Sequence, residues 1–315
     1  MESVEGNNMA GTVAFIRDAN KLSREEERHE NVDENNNDRF AITQCIGETD
    51  THLGALITRY AQTLTNYSLR NLDFNYEELA PLLQFHLNNA GDPFLGSSFS
   101  LNSMKFEVSV LGWFAKLWEI EKNEYWGYVT TGRTEGNLHG ILVGREQLPD
   151  GILYTSEDSH YLIFKIARMY RMQCVKVASL ISGEIDCAQL ETSLLANKDK
   201  PAIINLNIGG IDDIDLVIKT LDKCGFTNDQ FYIHCDGALC GIMLPFMKQA
   251  LRISFKKPIG SVTISGHKFL GCPLPCGVLI TRLKYINALS RDVDYIASRD
   301  KETGNGGKGF TWFIL

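Results

Sequence analysis

A lysine among small and apolar residues is the first candidate for chemistry in this sequence. Lys268 lies in the segment "SGHKFLG", residues 265–271. Lysine normally keeps its ammonium group in water and is seldom buried without a partner. Partial desolvation lowers the pKa of a lysine, which makes the amine a usable nucleophile that can form a Schiff base with an aldehyde. The segment therefore favours a functional lysine.

Two further segments contain groups that suit a ligand of the same kind. "FYIHCDGA" reads as an apolar strand that ends in Asp236, and a carboxylate there needs a positive or proton-bearing partner. "YVTTGRTEGNLHG" reads as a strand, a glycine-containing turn and a helix start, which suits a phosphate. Taken alone, Asp236 is more often a helix cap or a member of a structural ion pair than a functional carboxylate, and the turn is typical of a structural joint.

Together the three segments describe one ligand, pyridoxal 5′-phosphate (PLP). It has an aldehyde for Lys268, a basic ring nitrogen for Asp236 and a phosphate for the helix N-terminus. His160, in "TSEDSHY" after another predicted strand, is placed to stack on the ring, although a lone loop histidine is often only a surface residue. Competing motifs fail, because no G-x-S-x-G elbow is found and "GNGGKG" lacks the Ser or Thr of a P-loop.

Strands and helices alternate through the middle of the chain, which predicts an α/β fold with a mainly parallel sheet covered by helices. The predicted strands are "YWGYVTT", "GILYTS", "PAIINLNIG", "QFYIHCDGA" and "GSVTISGH". Ligands of such sheets bind at the carboxyl ends of the strands. We therefore expect the candidate residues to lie at that edge.

The chain divides into four predicted parts. Residues 1–50 form an acidic, Asn-rich extension that is predicted to be disordered. Residues 51–100 have the apolar spacing of a helical segment. Residues 101–300 form the large domain that binds PLP, and residues 301–315 form a divergent tail.

Composition limits the class of protein. A chain of 315 residues with 44% hydrophobic residues can build a large core. The net charge of −8 argues against nucleic acid or an anionic membrane as partner, and neither a membrane span nor a signal peptide is predicted. The eight cysteines form no C-x-x-C pair, which favours free thiols in the cytosol over a zinc site or a disulfide framework.

Several segments in combination resemble the PLP-dependent group II amino-acid decarboxylases, in the plant histidine and serine decarboxylase branch. They are "GYVTTGRTEGNLHGILVGRE", "LPDGILYTSEDSHY", "SGEIDCAQL", "IDDIDLVI", "YIHCDGALCG" and "ISGHKFLGCPLPCGV". The resemblance implies a PLP-dependent transferase fold of type I and a homodimer with active sites at the subunit interface. It also implies α-decarboxylation of L-histidine to histamine or of L-serine to ethanolamine, with release of CO2, and the shared motifs do not choose between these substrates.

The resemblance implies a role for seven residues. Lys268 is the Schiff-base lysine and Asp236 is the partner of the pyridine nitrogen. Ala238 packs beside the ring and His160 stacks on it, and either Lys268 or His160 helps in proton transfer. The phosphate is held by Thr134, Ser265 and His267.

Three departures from the family pattern favour an alternative, a catalytically impaired paralogue that retains PLP binding or dimerises with an active relative. Arg133 replaces a glycine of the phosphate turn, where it obstructs the turn if the position needs a positive φ, or binds phosphate itself. "NIGGIDD", residues 207–213, is shorter than in relatives, and the small C-terminal domain of the family does not follow residue 299. The chain thus resembles a truncated copy. Another PLP enzyme, such as an aminotransferase, fits the motifs less well.

Overall fold

A computed structural model of the chain describes residues 99–208, 212–239, 241–244, 253–272 and 274–289, together with residues 77, 80–81, 84–85, 87–89 and 91–96. The predicted disordered extension, the helical pattern that follows residue 51, the Gly209–Gly210 gap and the tail at 301–315 lie outside the described residues.

Seven strands form one sheet in the spatial order β1-β7-β6-β5-β4-β2-β3. The strands are β1 Tyr125–Thr130, β2 Ile152–Ser156, β3 Cys174–Val177, β4 Ala202–Asn207, β5 Phe231–Asp236, β6 Ser261–Ser265 and β7 Gly277–Arg282. Strands β2 to β6 pair in parallel, and β7 is antiparallel to both of its neighbours, β1 and β6. Six strands therefore end at one edge of the sheet, and the prediction of a mainly parallel sheet is confirmed.

Helices cover both faces of this sheet. They are α1 Met104–Leu117, α2 Arg133–Gln147, α3 Tyr161–Met169, α4 Cys187–Ala196, α5 Ile214–Lys223 and α6 Leu283–Leu289. Apolar side chains of α1, α4 and α5 belong to one buried cluster. Those of α2, α3 and α6 belong to a second cluster. The sheet thus lies between two apolar layers, as expected when helices connect parallel strands.

Strand β5 shows how the sequence pattern produces this arrangement. Successive side chains of a strand point to opposite faces. Ile233 and Cys235 pack into the cluster with α1, α4 and α5, whereas Tyr232 packs into the cluster with α2 and α3. His234 and Asp236 follow Tyr232 at intervals of two residues and are also buried. The face of β5 under α2 is therefore polar toward its carboxyl end.

Glycines allow α2 to lie directly on the sheet. Gly136, Gly140 and Gly144 are four residues apart and share one face of the helix. A Cβ on Gly140 would lie 2.4 Å from the His234 ring, and one on Gly136 would lie 2.5 Å from the Thr263 side chain. Larger residues would keep the helix away from β5 and β6. This close approach brings the first turns of α2 to the edge where the strands end.

Asp212 closes the short segment that follows β4. Its carboxylate accepts hydrogen bonds of 2.8 Å from the backbone N–H groups of Asn207 and Ile185. Its side chain is buried, and this desolvation raises the pKa of the carboxyl group to about 6. Asp213, the next residue, caps α5 through the N–H groups of Asp215 and Leu216. The acidic pair thus has a structural role.

The described part of the chain was also searched for membrane spans and metal sites. It contains no helix that is both long and apolar enough to cross a membrane. In the same residues, no group of three or more His, Cys, Asp or Glu side chains could hold a metal ion. The six cysteines that the structure describes are free thiols.

Candidate active site

The predicted residues meet at the edge of the sheet where the parallel strands end. Asp236 is the last residue of β5 and Ser265 the last residue of β6, the adjacent parallel strand. Past the strand ends, the N–H of Ser265 donates to the carbonyl oxygen of Ala238 at 3.3 Å. On the other side of β5, Asn207 ends β4 and pairs with Asp236. The segment with Asp236 and Ala238 therefore lies next to the segment that begins at Ser265.

Asp236 is a buried carboxylate with two direct hydrogen-bond donors among the residues that the structure describes. It is 5% exposed. Its Oδ2 accepts a bond of 2.7 Å from Nδ2 of Asn137 on α2, and its Oδ1 accepts one of 3.1 Å from the N–H of Ala238. Each carboxylate oxygen has two acceptor sites. One site on each oxygen is left for a further donor, such as a protonated ring nitrogen.

The turn between β1 and α2 leaves the N-terminus of the helix open to an anion. Gly132 is the N-cap residue, and no side chain caps the first turn. The N–H groups of a helical first turn and the helix dipole favour a negative group at such an end. Glu135 does not fill this place, because its carboxylate accepts bonds from the N–H and the hydroxyl of Thr131. Thr134, in the first turn, is exposed.

The prediction that Arg133 obstructs this turn through a positive φ is wrong. Arg133 is the first residue of α2, and the non-glycine residues with positive φ in the described chain are Glu119 and Arg171. The positive φ of the turn, 145°, belongs to Gly132, which needs no side chain there. The backbone of the turn therefore accommodates an arginine at position 133.

The segment that contains Lys268 lies against the same turn. A Cβ on Gly132 would lie 3.2 Å from Cε1 of His267, so the two phosphate-binding segments that the sequence predicts are in contact. Nδ1 of His267 is 2.9 Å from the carbonyl oxygen of Cys276, which fixes the ring. Ser265 is fully buried, and its hydroxyl has no hydrogen-bond partner among the described residues. Lys268 itself is half-buried.

His160 lies beyond the carboxyl end of β2, which is adjacent to β4 and two strands away from β5. It is the N-cap residue of α3, and its Nδ1 accepts a bond of 3.3 Å from the N–H of Leu162. The preceding residue, Ser159, accepts a bond of 2.9 Å from Nδ2 of Asn207 beside Asp236. The cap leaves Nε2 as the protonated nitrogen of the neutral ring. Its stacking on a cofactor stays a prediction.

Comparison with known proteins decides the family. Residues 99–305 match the model of the pyridoxal-dependent decarboxylase conserved domain. The chain belongs to the pyridoxal-dependent decarboxylase family. It is similar to serine decarboxylase 1 of Oryza sativa subsp. japonica, with 57% identity over 85% of this chain. It is also similar to the histidine decarboxylase of Solanum lycopersicum, with 54% identity over 84% of this chain.

The matches extend over only part of each relative's length. The chain spans 59% of the rice protein and 68% of the tomato protein. Among solved structures, L-methionine decarboxylase from Streptomyces sp. 590 matches with a TM-score of 0.67 and 22% identity, over 76% of this chain and 70% of that one. At this identity the structural match shows the fold, which is that of the PLP-dependent decarboxylases.

The residues at the sheet edge fit PLP, the cofactor of this family. The buried Ser265 hydroxyl, which has no partner among the described residues, and the start of α2 can bind a phosphate. The free acceptor sites of Asp236 suit the ring nitrogen. Ser265 lies two residues before His267, whose ring is next to Gly132 at the start of α2. The sheet edge thus has candidate partners for the phosphate, the ring nitrogen and the aldehyde of PLP.

Asn137 and His234 are two polar residues of the site that the sequence interpretation missed. Asn137 is fully buried and bonds directly to Asp236. His234 is fully buried and bonds through Nε2 to Oδ1 of Asn137 at 3.0 Å. The period of two in β5 was the available signal for His234, because it places this residue on the same face as Asp236. Asn137 gave no such signal, since its partner is far away in sequence.

Proposed function

We propose that this protein decarboxylates a free L-amino acid with PLP, and that L-serine and L-histidine are the two candidate substrates. The observation that supports this most is the arrangement at one sheet edge of Asp236, the uncapped start of α2 and the segment with Lys268. Relatives named serine decarboxylase and histidine decarboxylase, at 57% and 54% identity, support the same reaction. The substrate is a proposal because the chain spans only part of those relatives.

Each proposed residue has a defined task. Lys268 would hold the cofactor by its aldehyde group through the side-chain amine. Asp236 would accept from the protonated ring nitrogen, which favours electron acceptance by the ring, and Ala238 would leave space beside it. When bound, PLP supplies a conjugated ring that takes up the electrons released with CO2. The phosphate is proposed to bind Thr134, Ser265 and His267.

His160 and Lys268 are the candidates for returning a proton to the substrate α-carbon. The N–H of Leu162 donates to Nδ1 of His160, so the neutral ring has its proton on Nε2. We propose that this ring stacks on the cofactor, which would fix its orientation. The Lys268 amine, once displaced, is the alternative donor.

We also propose that the protein is a homodimer, as the family resemblance implies. One face of α1 supports this, because Phe106, Val110 and Trp113 are spaced at four and three residues and are 69%, 42% and 49% exposed. Such a contiguous apolar face is typical of a protein interface. We assign a second copy of the chain to it. The cytosolic location stays a prediction.

Release of labelled CO2 tests the proposed reaction. The purified chain is loaded with PLP and incubated separately with carboxyl-labelled L-serine and L-histidine, and Lys268→Ala serves as the control. We expect release from one of the two substrates, with loss of that release in the variant. A chain that binds PLP but releases CO2 from neither substrate would contradict the proposal and support the alternative, an impaired paralogue.

A further inference from the structure

A line of buried polar side chains leads from Asp236 into the protein. Asn137 Nδ2 bonds to Asp236 at 2.7 Å, and Asn137 Oδ1 bonds to Nε2 of His234 at 3.0 Å. On its other side, Nδ1 of His234 is 2.7 Å from the hydroxyl of Ser261, which accepts a bond of 2.8 Å from the hydroxyl of Tyr232. All five residues are at most 5% exposed. The line is therefore shielded from water.

The chemistry of the groups fixes the direction of every bond in this line. Oδ2 of Asp236 accepts the bond from Nδ2 of Asn137, so the amide oxygen of Asn137 faces His234. This oxygen only accepts, so Nε2 of His234 must hold the ring proton. Nδ1 is then an acceptor for the hydroxyl proton of Ser261. In every hydrogen bond of the line, the donor is thus the residue farther from Asp236 and the acceptor is the nearer one.

The imidazole of His234 suits this role because it stays neutral. Burial lowers the pKa of His234 to about 4, and the nearby charge of Asp236 offsets this only in part. A neutral imidazole has one donor and one acceptor nitrogen. The bonds to Asn137 and Ser261 require this one tautomer and exclude the other. The ring therefore accepts a hydrogen bond from Ser261 through Nδ1 and donates one to Asn137 through Nε2.

We propose that Asn137 and His234 are positioning residues that hold the carboxylate of Asp236 in the orientation in which it accepts from the ring nitrogen of PLP. The inference rests on the proposed role of Asp236 in binding the cofactor. The Asn137 bond to Oδ2 helps to fix the rotation of the carboxylate, so that its remaining acceptor sites keep one direction. A carboxylate aligned with the ring nitrogen favours the protonated form of that nitrogen. Without the Asn137 bond the carboxylate can turn, and the ring nitrogen is expected to lose its proton more readily.

The test compares Asn137→Leu with Asn205→Leu. Asn205 is also a fully buried asparagine, on β4, but its side chain bonds to Thr155, outside this line of contacts. The readout is the ¹⁵N chemical shift of the cofactor ring nitrogen, with PLP labelled at that atom. We expect a protonated nitrogen in the parent chain and in Asn205→Leu, and a shift toward unprotonated pyridine in Asn137→Leu. We also expect about tenfold to one hundredfold weaker PLP binding in Asn137→Leu, since the lost bond is to a charged group.

A second measurement needs no substitution. In the cofactor-free parent chain labelled with ¹⁵N-histidine, the NMR signals of His234, assigned through bonds to its backbone amide, report which nitrogen holds the proton. We expect Nε2–H. An Nδ1–H tautomer would reverse the polarity and overturn the proposal even if the variants fail to fold.

The outcomes separate the two proposals. If the parent chain binds no PLP, the proposed function fails, while the tautomer of His234 still tests the polarity of the line. If the parent binds PLP and the ring-nitrogen signal of Asn137→Leu equals that of Asn205→Leu, Asn137 has only a structural role. The positioning proposal is then overturned while the proposed function stands.

Discussion

Replacement of Gly140 by alanine tests the close approach of α2 to β5, on which the Asn137–Asp236 bond depends. A Cβ at this position would lie 2.4 Å from Cε1 and from Nδ1 of His234. Ordinary contact between such atoms begins at about 3.4 Å, so the helix or the ring must move by about 1 Å. His234 is fully buried and bonded at both nitrogens, which leaves it little room to give way.

Two opposing effects set the size of the change. Alanine in a helix interior is more favourable than glycine by about 0.8–1 kcal/mol. Overpacking a rigid core costs about 1–3 kcal/mol, and a buried ring with two fixed bonds belongs at the upper end. We therefore expect Gly140→Ala to lower the free energy of unfolding by about 1–2 kcal/mol.

Gly112→Ala is the matched control, because Gly112 also lies inside a helix, α1. A Cβ there would lie 3.7 Å from the Tyr125 hydroxyl, which is ordinary contact. The control should gain about 0.8–1 kcal/mol, so the two variants should differ by about 2–3 kcal/mol. Urea unfolding of the cofactor-free proteins measures this difference. Equal stability of the two variants, with PLP affinity unchanged in Gly140→Ala, would refute the reasoning.

Three further predictions concern protonation, the phosphate site and assembly. The pKa of His234 is about 4 in the folded protein, below its ordinary value of 6.5, so the unfolded chain binds the proton first as the pH falls. The parent chain is therefore expected to lose about 2 kcal/mol of stability between pH 7 and pH 5. The variant His234→Phe should not show this loss. Equal pH slopes in urea unfolding would contradict a neutral His234. Ser265→Ala should leave the stability of the cofactor-free protein unchanged or slightly higher, because it removes a buried hydroxyl that has no partner among the described residues. Titration with PLP should show weaker binding to this variant than to the parent chain. Unchanged PLP affinity would exclude Ser265 from the phosphate site. Trp113→Lys should convert the proposed dimer to a monomer in gel filtration. Leu195→Lys, at a similarly exposed leucine on α4, should not. If both variants elute like the parent, α1 is not part of the interface.

Much of the fold could be predicted because its signals are local. The strand that contains "YIHCD" alternates side chains between two apolar layers, and the helix after "IDD" begins at an acidic cap, Asp213. β7 was not predicted, and its antiparallel place between β1 and β6 depends on pairing with distant strands. Propensity and periodicity do not specify such a long-range pairing.

The candidate site could be predicted where single residues have distinctive chemistry. Lys268 and Asp236 are unusual in apolar surroundings, and this led to their prediction as PLP-binding residues. Arg133 was misinterpreted because the sequence does not reveal which residue of the turn has the positive φ, and the structure gives it to Gly132. Asn137 was missed because its role exists only once α2 lies on β5.

Borohydride reduction followed by peptide mass mapping tests the central claim, that Lys268 binds PLP at this edge of the sheet, most directly. The purified chain is loaded with PLP, the bond between lysine and cofactor is reduced, and the modified peptide is identified, with Lys268→Ala treated in parallel. We predict a pyridoxyl group on Lys268 in the parent chain and none at this peptide in the variant. An unmodified Lys268, or the same modification at another lysine in both proteins, would contradict the account.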